Sequence, residues 1–236
     1  MRSPLTALAA AVLIGCTACT DISSINESSH DRRSFDLPGD SLVVDAGGTD
    51  VRLVTGDPGR VQVDRTLTGK ATADGNASWS LSGDRLRLRV TCSGFVPDCG
   101  GLHVVRVPPR TAVTITSDAP VRAVGPTGAL TATVSDSWLR VERPAGPLRL
   151  RAQQSVTVTD ATSADVRATS DERKVDVAFA RPPDHVDAEA AGAVRVTLPP
   201  GPETYRITCD CPTKSDPASP RTVVAHGTTA QVRKAP

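Results

Sequence analysis

From Val121 onward the chain alternates apolar and polar residues in short bursts that recur almost metrically. "VRAV" begins at Val121, "LTATV" at Leu130, "LRVE" at Leu139, "LRLRA" at Leu148 and "VTVT" at Val156. "VRAT" at Val166, "VDVAF" at Val175, "VDAEA" at Val186 and "VRVTL" at Val194 continue the series, with successive starts 9, 9, 9, 8, 10, 9, 11 and 8 residues apart. Alternation marks a half-buried strand, because side chains two apart share a face. Leu148 and Leu150 are thus expected on one side and Arg149 and Arg151 on the other. Turn formers separate the bursts: "GPTG", "SDS", "RPAG", "QQ" and "DATSAD". A hairpin meander tolerates unequal strands, but stacked coils do not, since each coil must sit on the one before it. About 9 residues per strand and two strands per coil of about 18 to 20 residues predict an all-β fold, a β-solenoid whose Val and Leu rows are buried between neighbouring coils.

The stretch from Ser34 to Ile115 alternates too, but with looser spacing: "SLVVDA", "DVRLVTG", "RVQVDRTLTG", "SWSLSG", "DRLRLRVT" and "LHVVRVP". It is expected to form a β-meander that caps the solenoid, with an immunoglobulin-like sandwich as the alternative for this half alone. No window of ten or more residues shows helical periodicity, and the abundance of Val and Thr favours strands. Aromatics are only 3%, so the core is expected to be Val, Leu and Ala.

The first 15 residues differ in kind. Arg2 precedes an apolar run from Leu5 to Ile14, the layout of a secretory signal and roughly half the length needed to span a bilayer. Leu13-Ile14-Gly15-Cys16 resembles the bacterial lipobox. That resemblance implies cleavage before Cys16 and a diacylglycerol on its thiol, which would anchor the chain stably where a single acyl chain would not. Cys19 is the weaker candidate, because Cys16 stands where the box has Leu; an ordinary signal peptide and a soluble product form the alternative. Residues 16–33, rich in Ser, Asp, Asn and Arg with no apolar period, read as a disordered tether, and residues 34–236 as a single domain.

Composition narrows the function by exclusion. Lys plus Arg number 27 against 26 for Asp plus Glu, so no general affinity for nucleic acid follows. Four cysteines follow the signal: Cys92, Cys99, Cys209 and Cys211. In an exported chain they are disulfide candidates with three possible pairings; a zinc site is the rival, but six residues and then one between cysteines do not match zinc-ligand spacing.

The run "LVVDAGGTDVRLVTGD", then "VTC…C" leading into "LHVVRVPPRTAVTI", then the regular coils and "YRITCDC…DPASPRTVVAHGTTAQVRK" resembles the bacterial putative-adhesin domain family, whose function is unknown. The resemblance covers about 190 residues and implies a β-solenoid in an envelope or secreted protein. Its motifs are alternation and Gly-bearing turns, none of them a chemical signature, and Cys209-Asp210-Cys211 stands where the family often has a Gly-Asp turn.

Catalytic motifs are absent from the sequence. His30, His103, His185 and His226 lie far apart, and no nucleophile elbow, Walker loop or "HExxH" is found. His103 reads as a partly buried structural residue. Asp160, Asp165, Asp171, Glu172 and Asp176 fall in successive turns, but without the Gly-rich nonapeptide of calcium coils they read as solvated turn residues. No catalytic residue, cofactor or metal is expected. Two arginine rows are the remaining candidates: Arg149, Arg151 and Arg167 on one outward face as a candidate anion-binding set, and Arg122, Arg140 and Arg195 on another, interspersed with acids. Trp138 is outward by alternation, as a contact residue for a partner or the shield of a turn. The expected protein is a lipid-anchored extracytoplasmic, non-enzymatic binding or structural module, adhesin-like, whose partners are the membrane through its anchor and an unknown protein or wall polymer. A carbohydrate-active enzyme on a β-helix, or an envelope signalling accessory, is the alternative.

Overall fold

A computed structural model describes residues 27–92 and 98–236. The signal segment, Cys16 and Cys19 lie outside the described residues. The first strands are β1 (Ser28–Asp36), β2 (Ser41–Gly47), β3 (Asp50–Thr55), β4 (Arg60–Gly69), β5 (Ala77–Ser82), β6 (Arg85–Val90) and β7 (Cys99–Val107). The regular repeats form β8 (Ala112–Ser117), β9 (Val121–Val124), β10 (Leu130–Val134), β11 (Leu139–Glu142), β12 (Leu148–Ala152), β13 (Ser155–Ala161), β14 (Asp165–Ser170), β15 (Lys174–Phe179), β16 (His185–Ala190) and β17 (Ala193–Leu198). The chain closes with β18 (Arg206–Cys209), β19 (Thr222–His226) and β20 (Thr229–Lys234).

The strands make two ten-stranded sheets. Sheet A runs β1-β4-β7-β3-β9-β11-β13-β15-β17-β20, and sheet B runs β18-β19-β16-β14-β12-β10-β8-β2-β6-β5. From β8 to β17 the chain alternates between them, one strand each per coil, and every coil pairs in parallel with the next, as a solenoid requires. In sheet B Val113 stacks on Leu130, then Leu148, Val166 and Val186, advances of 17, 18, 18 and 20 residues. The inward residues are those that the alternation assigned: β12 reads buried-exposed-buried-exposed-buried over Leu148–Ala152. The core between the sheets is built of Val, Leu and Ala.

Two turns show why coils of this length carry glycine. A Cβ on Gly146 would lie 2.0 Å from the carbonyl oxygen of Gly128, and one on Gly128 would lie 2.1 Å from that of Thr111. Successive coils approach so closely there that only a hydrogen fits.

The first half departs from the expected meander. β2 and β3 form a complete parallel coil on which β8 and β9 stack, while β6 and β7 form another on its far side. The coil made first therefore ends up inside, and the chain returns past it to continue the stack. The antiparallel pairs among the described residues are β1–β4, β4–β7 and β5–β6. This parallel pairing also removes the immunoglobulin-like alternative, whose strands pair antiparallel.

The tether reading needs correction over Ser28–Arg33. These residues belong to β1, which pairs with β4 from Ser28 opposite Thr68 to Asp36 opposite Arg60. Composition predicts disorder by asking what apolar surface a segment buries, whereas an edge strand is held by backbone hydrogen bonds that need no apolar side chain. Ion pairs reinforce it: Arg32 with Asp64, Asp31 with Arg65 at 2.7 Å and Asp36 with Arg60 at 3.1 Å.

Candidate functional site

Because the inner faces are filled, contact with a partner falls to the two outer sheet faces and the two ends. On sheet B, Arg149 and Arg167 sit directly opposite one another, and Arg151 lies two residues along β12. Each is met by a carboxylate: Arg149 by Asp165 at 3.5 Å, Arg151 by Asp171 at 2.9 Å, Arg167 by Asp187 at 3.0 Å. Like charges facing each other across strands repel, and here acids relieve the repulsion. The fold thus unites the three predicted arginines in a row that is neutralised from within.

Sheet A is different. Arg52, Arg122 and Arg140 occupy three successive rungs, Arg52 opposite Arg122 and Arg122 opposite Arg140. Arg122 pairs with Glu142 at 2.8 Å; Arg52, Arg140 and the nearby Lys174 have no carboxylate in ion-pair range among the described residues. The hydrogen bond from Arg122, with the charges of Arg122, Arg140 and Arg143, holds the Glu142 carboxyl below the ordinary carboxylate range. Burial pushes the Asp50 carboxyl, two residues before Arg52, the other way. Asp176 is engaged by Arg195 at 3.4 Å, and it separates Arg195, with Thr157, from the other two members of its predicted row.

Trp138 stands at the mouth of this ladder, 38% exposed, immediately before β11. With Arg122, Arg140, Ser155, Thr157 and Lys174 it lines an open depression of about 390 Å³. Leu102, equally exposed, lies on the same outer face opposite Asp50. The two large apolar side chains most exposed among the described residues thus share one face with the unpaired cations.

Arg52 and Lys174 were missed in the sequence as members of this group. Arg52 reaches it through β3, which neighbours β9 although their paired residues Val51 and Val121 are far apart in the chain. A signal existed: Val51-Arg52-Leu53, Val121-Arg122-Ala123 and Leu139-Arg140-Val141 repeat one apolar-Arg-apolar pattern.

The other candidates resolve into structure. His103 is fully buried, its Nδ1 2.8 Å from the Thr49 hydroxyl and its ring edge-on to Trp79 at 6.2 Å. Burial, and then the Arg65 charge, push its pKa down to about 4. His30 and His185 contact threonine hydroxyls. Of the five acids expected in turns, Asp160, Asp165 and Asp176 instead lie within β13, β14 and β15; Asp165, Asp171 and Asp176 serve arginines and Glu172 accepts from Gln153. Among the described residues no three His, Cys, Asp or Glu side chains converge as a metal site. The four cysteines form two bridges, Cys92–Cys99 and Cys209–Cys211, so the thiolates a zinc site would need are joined in pairs.

No family profile matches the chain, and no curated protein matches it. Several solved structures do. A "putative adhesin" from Parabacteroides distasonis is 11% identical, with 90% of this chain and 98% of that one covered at a TM-score of 0.46. A "putative cell adhesion protein" from Clostridium sporogenes is 8% identical, with 88% and 97% covered at 0.37. A "putative lipid binding protein" from Parabacteroides distasonis is 10% identical, with 89% and 98% covered at 0.30.

Proposed function

We propose that this chain is a non-enzymatic binding module, held at the extracytoplasmic face of the membrane by a diacylated Cys16, that engages an extended anionic wall polymer along the outer face of sheet A. The observation that carries the reading is the ladder Arg52–Arg122–Arg140 with Lys174, Trp138 and Leu102 beside it. Strands repeat every 4.7–4.9 Å, so Arg52 and Arg140, on either side of the Glu142-paired Arg122, offer two unpaired charges about 10 Å apart to a polymer lying along the solenoid axis. Guanidinium pairs with phosphate or carboxylate in fork geometry, while an exposed indole packs on the apolar side of a sugar ring.

The anchor sets the orientation. Ser28 follows Cys16 by twelve chain steps, a reach of at most about 40 Å. The membrane-proximal end would be the one carrying β1, and β11 lies five strand spacings from β1, about 24 Å along the axis. A partner lying against sheet A would meet the module well clear of the lipid.

Two experiments test the reading. Cys16→Ala should move the protein from the membrane fraction to the soluble one with its circular dichroism unchanged. In sedimentation with isolated cell walls, Arg52→Glu with Arg140→Glu should weaken binding tenfold or more, and stripping the anionic polymers from the walls should do the same. Arg149→Glu with Arg167→Glu should leave binding near the parent value. Equal retention of both double variants would refute the assignment to sheet A.

A further inference from the structure

The two sheets are not in step at the C-terminal end. β19 and β20 complete the last coil, and β18 adds one more strand to sheet B, with no strand opposite it in sheet A among the described residues. The missing strand leaves a cleft of about 370 Å³, within the span of small-molecule sites. Its apolar wall comes from Leu198, Tyr205, Ile207 and Val232. The loop after β18 crosses over it, held by the Thr213 hydroxyl donating to the Val232 carbonyl at 2.7 Å and the Asp216 amide donating to the Tyr205 carbonyl at 2.9 Å.

Cations outnumber carboxylates at the rim. Lys214, Arg233 and Lys234 surround the cleft, and none has a carboxylate in ion-pair range among the described residues; the Lys234 ammonium donates to the Gly201 carbonyl. Two acids also line it, Glu203 and Asp216, the latter held below the ordinary carboxylate range by Thr204, the Ala218 amide and the Lys214 charge, so the lining carries three cations against two carboxylates. An apolar slot under a cationic rim is complementary to a molecule with an apolar tail and an anionic head.

We infer that this cleft is a binding site for a fatty-acid carboxylate of medium chain length, its tail replacing the absent strand against Ile207 and Leu198 and its head on Lys214 and Arg233. The site is distinct from the sheet A face and stands at the membrane-distal end of the solenoid.

Calorimetric titration of the otherwise full-length Cys16→Ala protein, purified without detergent, tests it. Hexanoate, octanoate and decanoate should each bind one to one, with affinity rising about fourfold per methylene until the cleft is full. Decanol should bind at least tenfold more weakly than decanoate. Lys214→Glu, an exposed change checked by circular dichroism, should cost decanoate tenfold or more while sparing decanol, and Ile207→Trp should fill the slot and abolish both. Absence of saturable decanoate binding to the parent, or decanoate binding that both variants leave intact, would overturn the proposal. Retention on phosphatidylglycerol vesicles without decanoate binding would overturn the free acid as occupant.

Discussion

The two ends of the solenoid meet the same physical demand in opposite ways. A stack of coils buries each apolar row against its neighbours, so the terminal coils expose a row unless something covers it. At the N-terminal end Trp79 from β5 plugs the gap, with the Arg33 guanidinium 4.8 Å from its ring centre and that of Arg65 at 4.5 Å. His103 closes the plug from within. Sheet A overhangs there by β1, which supplies Arg33 and so ties the lid to the edge strand. At the C-terminal end sheet B overhangs by β18, Tyr205 lines the space opposite without filling it, and a cleft remains. Each end also carries one disulfide, Cys92–Cys99 near β6 and β7 and Cys209–Cys211 at β18. A capped end built as a plug serves stability, whereas one built from a loop over a gap retains volume for a ligand.

Substitutions can break that comparison at graded cost. The largest effect should come from the stack that both ends share: Leu150→Asp places an unpaired carboxylate at a 3%-exposed core position and should lower stability by about 5 kcal/mol or more, unfolding the chain in urea titrations. A soluble, cooperatively folded Leu150→Asp protein would contradict the assigned strand phase. Next comes the contrast itself. Trp79→Ala should cost about 3–5 kcal/mol, and Ile207→Ala at the open end about 1 kcal/mol or less, both from denaturant midpoints. Equal losses would mean that the C-terminal end is as tightly closed as the other.

Acid should act at the plugged end. The folded pKa of His103, about 4, lies below the 6.5 of the unfolded chain, so as pH falls the unfolded state takes up the proton first. Stability should be constant above about pH 6.5 and decline by about 3 kcal/mol as pH drops to about 4, measured as urea midpoints against pH. His103→Leu should flatten that window; an unchanged slope would place the acid sensitivity elsewhere. The last effect tests the turns between the ends: Gly146→Ala should cost about 1–3 kcal/mol, since its Cβ would strike the Gly128 carbonyl, and should lower the melting temperature without altering strand content.

Much of this was legible in residues two apart. The alternation of "LRLRA" and "VRVTL" placed Leu148, Leu150, Val194 and Val196 inside and their arginines outside, and the metre of about 9 residues placed the coils. Trp138 was correctly outward. What escaped was anything carried by a partner strand: the pairing of β1, whose own composition reads as tether, and the plug at Trp79, where residues from β1, β4, β5 and β7 meet. Nor could the sequence separate the neutralised arginines from the free ones, because Arg149 finds Asp165 and Arg167 finds Asp187 only across neighbouring coils.

The sequence by itself determined which side of each strand faces the core, how long a coil is and where it turns, because these follow from a period of two and a metre that a single chain carries locally. Tertiary structure alone decided which coil lies beside which. β3 pairs with β9 rather than with β4 because hydrogen-bond ladders close between whichever equivalent edges the stacked core brings together. That choice assembled Arg52, Arg122 and Arg140 into one ladder and left β18 without an opposite strand.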